Sequence, residues 1–283
     1  MPAASGRKTL DRPAKRRRKP RSRGRKDDRA VAAFVGDLPA RRFAWPFDPI
    51  LASKFLIGLL LLPLCWVTLE TFFLVFGQAA KQGQFWRAAE FWFFGIGVTM
   101  WLVLFFGARS RFMLLTYVAG HEWTHALFVL ICRGNVAKVH ISADGGHILT
   151  NRNNFLISLS PYFFPFYTAI VIALWWLAEW LFFDFQPDHF RYLFWVIGFT
   201  WCFHLTFTIW MATRKDQPDL DHNGRLFSFS LIALVNTLII VSLLIFASPT
   251  VSWKSFSLTW YANLTTFGAR LGESVKEIVG FFV

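Results

Sequence analysis

With 55% hydrophobic residues across 283 positions, including 34 Phe and 14 Trp, this chain is too apolar to be an ordinary soluble domain. Its net charge of +13 is not a property of the whole chain: residues 1–42 hold 15 Lys or Arg against 4 acids, and residues 43–283 hold 15 against 13. Cys65, Cys132 and Cys202 lie far apart in apolar runs with no C-x-x-C pair, which points to small packing residues rather than a cysteine–zinc or disulfide framework.

The tail comes first. Residues 1–42 include Lys15-Arg16-Arg17-Arg18-Lys19 among Gly, Ser and Pro, a composition that predicts disorder. No aromatic residue interleaves the basic run, which speaks against nucleic acid as a partner. A cytoplasmic tail held near anionic lipid headgroups is the expected alternative.

Six apolar runs follow, at about 54–77, 88–107, 113–132, 154–183, 192–213 and 226–247. They predict an all-α, multi-pass integral membrane protein with about six transmembrane helices. Glu70 in the first run must face the bundle or reach the interface. The fourth run is overlong and contains Pro161 and Pro165, so a kink or break is expected near its start. His204 lies within the fifth. Between the third and fourth runs, Val136-Ala-Lys-Val-His-Ile141 alternates, Asp144-Gly145-Gly146 signals a turn, and His147–Thr150 can return as a second strand. A short β-hairpin is predicted there. Residues 43–112 read as N-terminal membrane segments and 113–247 as a membrane core. Residues 248–283 carry Leu264, Phe267, Leu271, Val275 and Ile278 at helical spacing, which predicts an amphipathic helix lying on the membrane or on a partner.

The third run holds His121-Glu122-Trp123-Thr124-His125. Residues four apart share a helix face, so both imidazoles can reach one metal ion, and the Glu122 carboxylate beside them can take a proton from water at that metal. Two histidines and a glutamate are costly in hydrocarbon, and ionisable groups placed there are functional candidates; the competing reading is satisfied polar residues on a bundle's inner face. A catalytic zinc ion, Zn2+, takes three protein ligands and keeps one position open. Candidates for the third are His140, His147, His204, His222, Glu179, Asp219 and Asp221. The stretch Gln217-Pro-Asp219-Leu220-Asp221-His222-Asn223-Gly224 is the most suggestive, because it sets acids and a helix breaker at a membrane boundary.

Together, the motif on an apolar helix, the hairpin with Gly145-Gly146, the prolines of the next run and the later Asp-Leu-Asp-x-x-Gly resemble the site-2 protease family of intramembrane zinc metalloproteases. The resemblance covers about residues 113–247. It implies a zinc endopeptidase that hydrolyses peptide bonds of membrane-protein substrates within or near the bilayer, with Glu122 as base and His121 and His125 as ligands. It also implies a downstream aspartate as third ligand and a site open to the cytoplasm. This chain departs from the family pattern in Trp123-Thr124 and in His222-Asn223, which separate Asp221 from Gly224. The choice between Asp219 and Asp221 stays open, with the Gln217-x-Asp219-Leu220 run favouring Asp219. His204, Asn153, Asn154 and the unused aspartate are candidates for contacting substrate or supporting the ligands. The hairpin edge offers strand addition to an unwound substrate. The rival reading is a catalytically inactive membrane scaffold that keeps the fold.

Sidedness is contradictory at this level. The basic tail places the N-terminus inside, and six spans would then put 133–153 and 214–225 outside. Yet those segments hold Arg133, Lys138, Arg152, Arg214, Lys215 and Arg225, against Arg109, Arg111 and Arg191 in the opposite connectors. The two signals agree if region 54–107 crosses once.

Overall fold

Asp48 opens the first helix: its carboxylate accepts from the Ile50 amide at 2.9 Å, and Pro49 stands at the first helical position, where no N–H is needed. From there α1 (Pro49–Lys81) runs 33 residues, about 50 Å at the α-helical rise, longer than a bilayer core requires. The computed structural model describes residues 48–83, 85–108, 110–181, 186–214, 217–248 and 250–282. The expected disordered tail, residues 1–42, lies outside the described residues.

A 3₁₀ turn (Phe85–Arg87) leads to α2 (Ala89–Gly107), α3 (Arg111–Ile131) and an antiparallel hairpin, β1 (Val136–Ser142) and β2 (Gly145–Thr150). Then come α4 (Phe155–Phe163), α5 (Phe166–Leu181), a second 3₁₀ turn (Pro187–His189) and α6 (Phe190–Ala212). The chain continues through α7 (Pro218–Asp221), α8 (Arg225–Ala247) and α9 (Trp253–Phe282).

The expectation of six spans is corrected. Among the described residues four helices, α1, α2, α6 and α8, are long and apolar enough to cross a membrane, or five if the bent pair α4–α5 counts as one span. The run at 113–132 drops out because α3 carries His121, Glu122, Thr124 and His125 in its middle. The run at 154–183 is broken, with α4 and α5 bent by 75°. Phe164 precedes Pro165 and is pushed to an extended conformation, φ −97° and ψ 108°, and Pro165 has no N–H to continue the helix.

Two glycines bring α2 and α6 into backbone contact: a β-carbon on Gly97 would strike the Trp195 carbonyl, and one on Gly198 the Phe94 carbonyl. Trp101 extends the seam, its ring 4.8 Å from Phe203 and its indole donating to Thr206 at 2.8 Å. The core reaches α3 where Tyr117 stacks on Phe207 at 4.6 Å. On the other side α1 packs along α8, and α9 docks on α1. There Trp260 donates to Thr68 at 3.0 Å and Asn263 to Thr71 at 2.9 Å, satisfying two fully buried hydroxyls. Phe55, Leu60, Trp66 and Phe73 of α1 stay exposed, as a lipid-facing surface requires.

In the hairpin, Val139 pairs with Ile148, His140 with His147 and Ile141 with Gly146. Ala143 and Asp144 make the turn, so Gly146, expected within the turn, stands in β2 instead.

Candidate metal centre

One helical turn separates His121 from His125, and α3 is regular through both. Their ring centroids lie 4.8 Å apart and their Nε2 atoms 3.2 Å apart. Each ring is held from behind. Nδ1 of His125 lies 2.8 Å from the Ile157 carbonyl of α4; a carbonyl only accepts, so Nδ1 carries the proton and Nε2 presents its lone pair. Nδ1 of His121 meets the Tyr117 hydroxyl at 3.2 Å, which leaves its Nε2 facing the same point. The buried Tyr162 ring meets His121 edge-on at 5.4 Å.

Asp219 closes the cluster from α7. Its Oδ2 lies 3.6 Å from His121 Nε2 and 3.5 Å from His125 Nε2. The three ligand atoms all fall within 4.8 Å of one another, and no other group of three or more His, Cys, Asp or Glu among the described residues is so arranged. Burial alone would raise the Asp219 carboxyl, but the two imidazoles at its edge hold it well below the usual carboxylate range. Two imidazole nitrogens and one carboxylate oxygen fit the donor set of a catalytic zinc ion, with a coordination position left for water.

A four-residue helix has no stability of its own, so α7 is held by its neighbours. Leu220 is 2% exposed and packs among Leu159, Tyr162, Phe227 and Ile232. Tyr162 donates to Gln217 at 3.1 Å, Asn223 donates to the Asp219 carbonyl at 2.9 Å, and Lys54 of α1 donates to Asn223 at 2.8 Å. Gly224 follows with φ +81°, a left-handed turn that starts α8 and suits glycine. Asp221 points elsewhere and accepts from Arg225 at 2.8 Å, outside the cluster.

Glu122 is 5% exposed beside the pair. The hairpin backbone lies directly on it: a β-carbon at Gly146 would sit 2.6 Å from Glu122 Cγ and 2.7 Å from its Oε1. Glycine is required at 146 by this close approach, a reason different from the turn that its sequence context suggests.

The other sequence candidates are dispersed. His204 is buried on α6 and shares the wall of a cavity of about 20 Å³ with Tyr117, His121, Thr124 and Tyr167. Asn154 caps α4, accepting from the Ile157 amide at 2.8 Å, and Asn153 accepts from Ser158 at 3.0 Å. His140 and His147 face outward on the hairpin. A larger cavity of about 1130 Å³, lined by Trp176, Phe194, Ile239 and Phe246 among others, contains none of the cluster residues. Sequence reasoning passed over Tyr117, the Ile157 carbonyl, Lys54 and Asn236, whose amide donates to the Tyr162 carbonyl at 2.9 Å. Only Tyr117, four residues before His121, carried a local signal. Comparison with protein-family models, with curated proteins and with solved structures finds no match to this chain, so the functional reading rests on this donor set and its surroundings.

Proposed function

We propose that this chain is an intramembrane zinc metalloprotease that hydrolyses peptide bonds of membrane-protein substrates. The observation that carries the proposal is the meeting of His121, His125 and Asp219, with Glu122 beside them, among helices apolar enough for a bilayer. In this reading His121, His125 and Asp219 hold zinc, which when bound supplies a Lewis acid that acidifies water and polarises a carbonyl. Glu122 takes the proton of the attacking water and returns it to the leaving amine. The Ile157 carbonyl keeps the His125 ring in the tautomer that the ligand role needs, and Tyr117 holds the orientation of the His121 ring. A substrate helix conceals its own carbonyls, so it must unwind, and the edge of the 136–150 hairpin can pair with the extended segment. Residues 113–247 form the protease core in this reading, with 43–112 as accessory membrane segments and 248–283 as a docked amphipathic helix.

Zinc analysis of the purified chain, paired with cleavage of single-span test proteins in liposomes, tests this. About one zinc per chain is expected, lost from His125→Ala. Glu122→Gln keeps the metal and loses cleavage, because its carboxylate is base and not ligand. Parental metal content in His125→Ala, or undiminished cleavage by Glu122→Gln, overturns the reading.

A further inference from the structure

The hairpin carries a second pair of histidines. Strand residues alternate between faces, and here Val139, Ile141, Gly146 and Ile148 are partly buried toward α3 while His140 and His147 are exposed. The two are direct cross-strand partners, which places their β-carbons about 5 Å apart. Their ring centroids stand 5.1 Å apart with planes inclined by 31°. The central pair provides a ruler within the same molecule: His121 and His125, with Nε2 atoms 3.2 Å apart, have centroids 4.8 Å apart. The hairpin rings stand at nearly the same separation as the central pair, differing in the angle between their planes, 31° against 82°.

We propose that His140 and His147 form a separate metal site, a two-imidazole chelate for a late first-row divalent cation. Imidazole suits Zn2+, Cu2+ and Ni2+, and the exposed face leaves the remaining positions to water. The residues flanking the pair on that face are Lys138 opposite Leu149 and Ser142 opposite Gly145, none of which adds a strong ligand. Asp144 at the tip is engaged with Arg111 at 3.8 Å. The site is accordingly weaker than a three-ligand centre and responds to the metal supply around it.

Its position gives it a consequence. A metal held by one residue from each strand fixes their register beside the Ile141–Gly146 pair, whose glycine lies on Glu122. Occupancy stiffens the strand that backs the Glu122 carboxylate.

The test uses the full-length protein without a polyhistidine tag, loaded with one equivalent of zinc and then titrated with Cu2+ alone. One further equivalent is expected, with the spectroscopic signature of nitrogen ligands. His147→Ala and His140→Ala should each lose it while keeping the central zinc. Amide exchange across 136–150 should slow about tenfold or more on saturation in the parent and not in either variant. The same titration in His125→Ala, which lacks a central ligand, should still show the hairpin equivalent, so failure of the protease reading leaves this one measurable. An unchanged copper equivalent in His147→Ala, or hairpin exchange indifferent to metal in the parent, overturns the site.

Discussion

Asp219 and Asp221 are two residues apart on one short helix, yet only Asp219 reaches the histidines, because Asp221 turns back to Arg225. Asp219→Ala should therefore lose zinc and activity together, while Asp221→Ala, which removes one exposed ion pair, should keep both nearly at the parental level. Metal analysis of the two variants decides between them, and zinc lost only from Asp221→Ala reverses the assignment. Gly146 makes a sharper test of the base. Even Ala places a carbon 2.6 Å from Glu122 Cγ, so either the carboxylate or the hairpin must move. A displacement near 1 Å costs about a hundredfold in rate, so Gly146→Ala should cut turnover by roughly that factor with zinc content unchanged. Parental turnover would mean that the hairpin does not set the position of Glu122. At this scale His121, Glu122 and His125 were legible because helical spacing is a local property. Asp219, 94 positions beyond His125, was one of seven candidates until a family resemblance favoured it, and Gly146 was read as a turn residue because its partner lies across a tertiary contact.

Elements show a similar division. Apolar runs and the alternation of 136–150 announced helices and a hairpin, since each needs only neighbours in sequence. The packing that aims them did not show. Lys54 reaching from α1 to Asn223 and Asn236 reaching from α8 to Tyr162 join segments remote in the chain. The four-residue α7 illustrates why this matters: it presents Asp219 only because Leu220 is buried in a pocket made by α4 and α8. Leu220→Ala should cost about 2–5 kcal/mol of local packing, enough to free the helix from its seat. Zinc affinity should fall at least about tenfold although no ligand has changed, since 1.4 kcal/mol of lost preorganisation suffices. Competition with a chromogenic chelator measures it, and parental affinity in the variant would show that Asp219 is held by other means.

For the whole molecule, the sidedness contradiction resolves once helix directions are followed. α2 and α6 run in the same direction, with Phe94 against Gly198 near their starts and Phe105 against Phe207 near their ends. α8 runs opposite to α6, because its last turns share a cluster with Leu193 and Phe194 while its first turns pack near Met211. α1 starts beside the start of α8, with Leu51 against Gly224 and Phe76 beside Val241. α3 begins four residues after α2 ends, and beyond its own end Phe155 meets Phe227 in the first turn of α8. Both ends of α3 thus lie at the same end of the bundle, and the helix that carries His121 and His125 makes no net crossing. Region 54–107 then crosses twice rather than once, and the start of α1, the hairpin and α7 still share one face. Among the described residues that face holds Lys54, Arg111, Arg133, Lys138, Arg152, Arg214 and Arg225, against Lys81, Arg87, Arg191 and Lys254 at the other. By the positive-inside rule this face is expected to be the cytoplasmic one, and labelling tests that expectation. Single cysteines at Ser53, Asp144 and His222, in a chain with Cys65, Cys132 and Cys202 replaced by Ala, should all react with an impermeant maleimide from the cytoplasmic side of sealed vesicles. Cysteines at Gly83 and Ser252 should react only from the opposite side. If positions 144 and 222 label from opposite sides, α3 spans the membrane after all and this path of the chain is wrong.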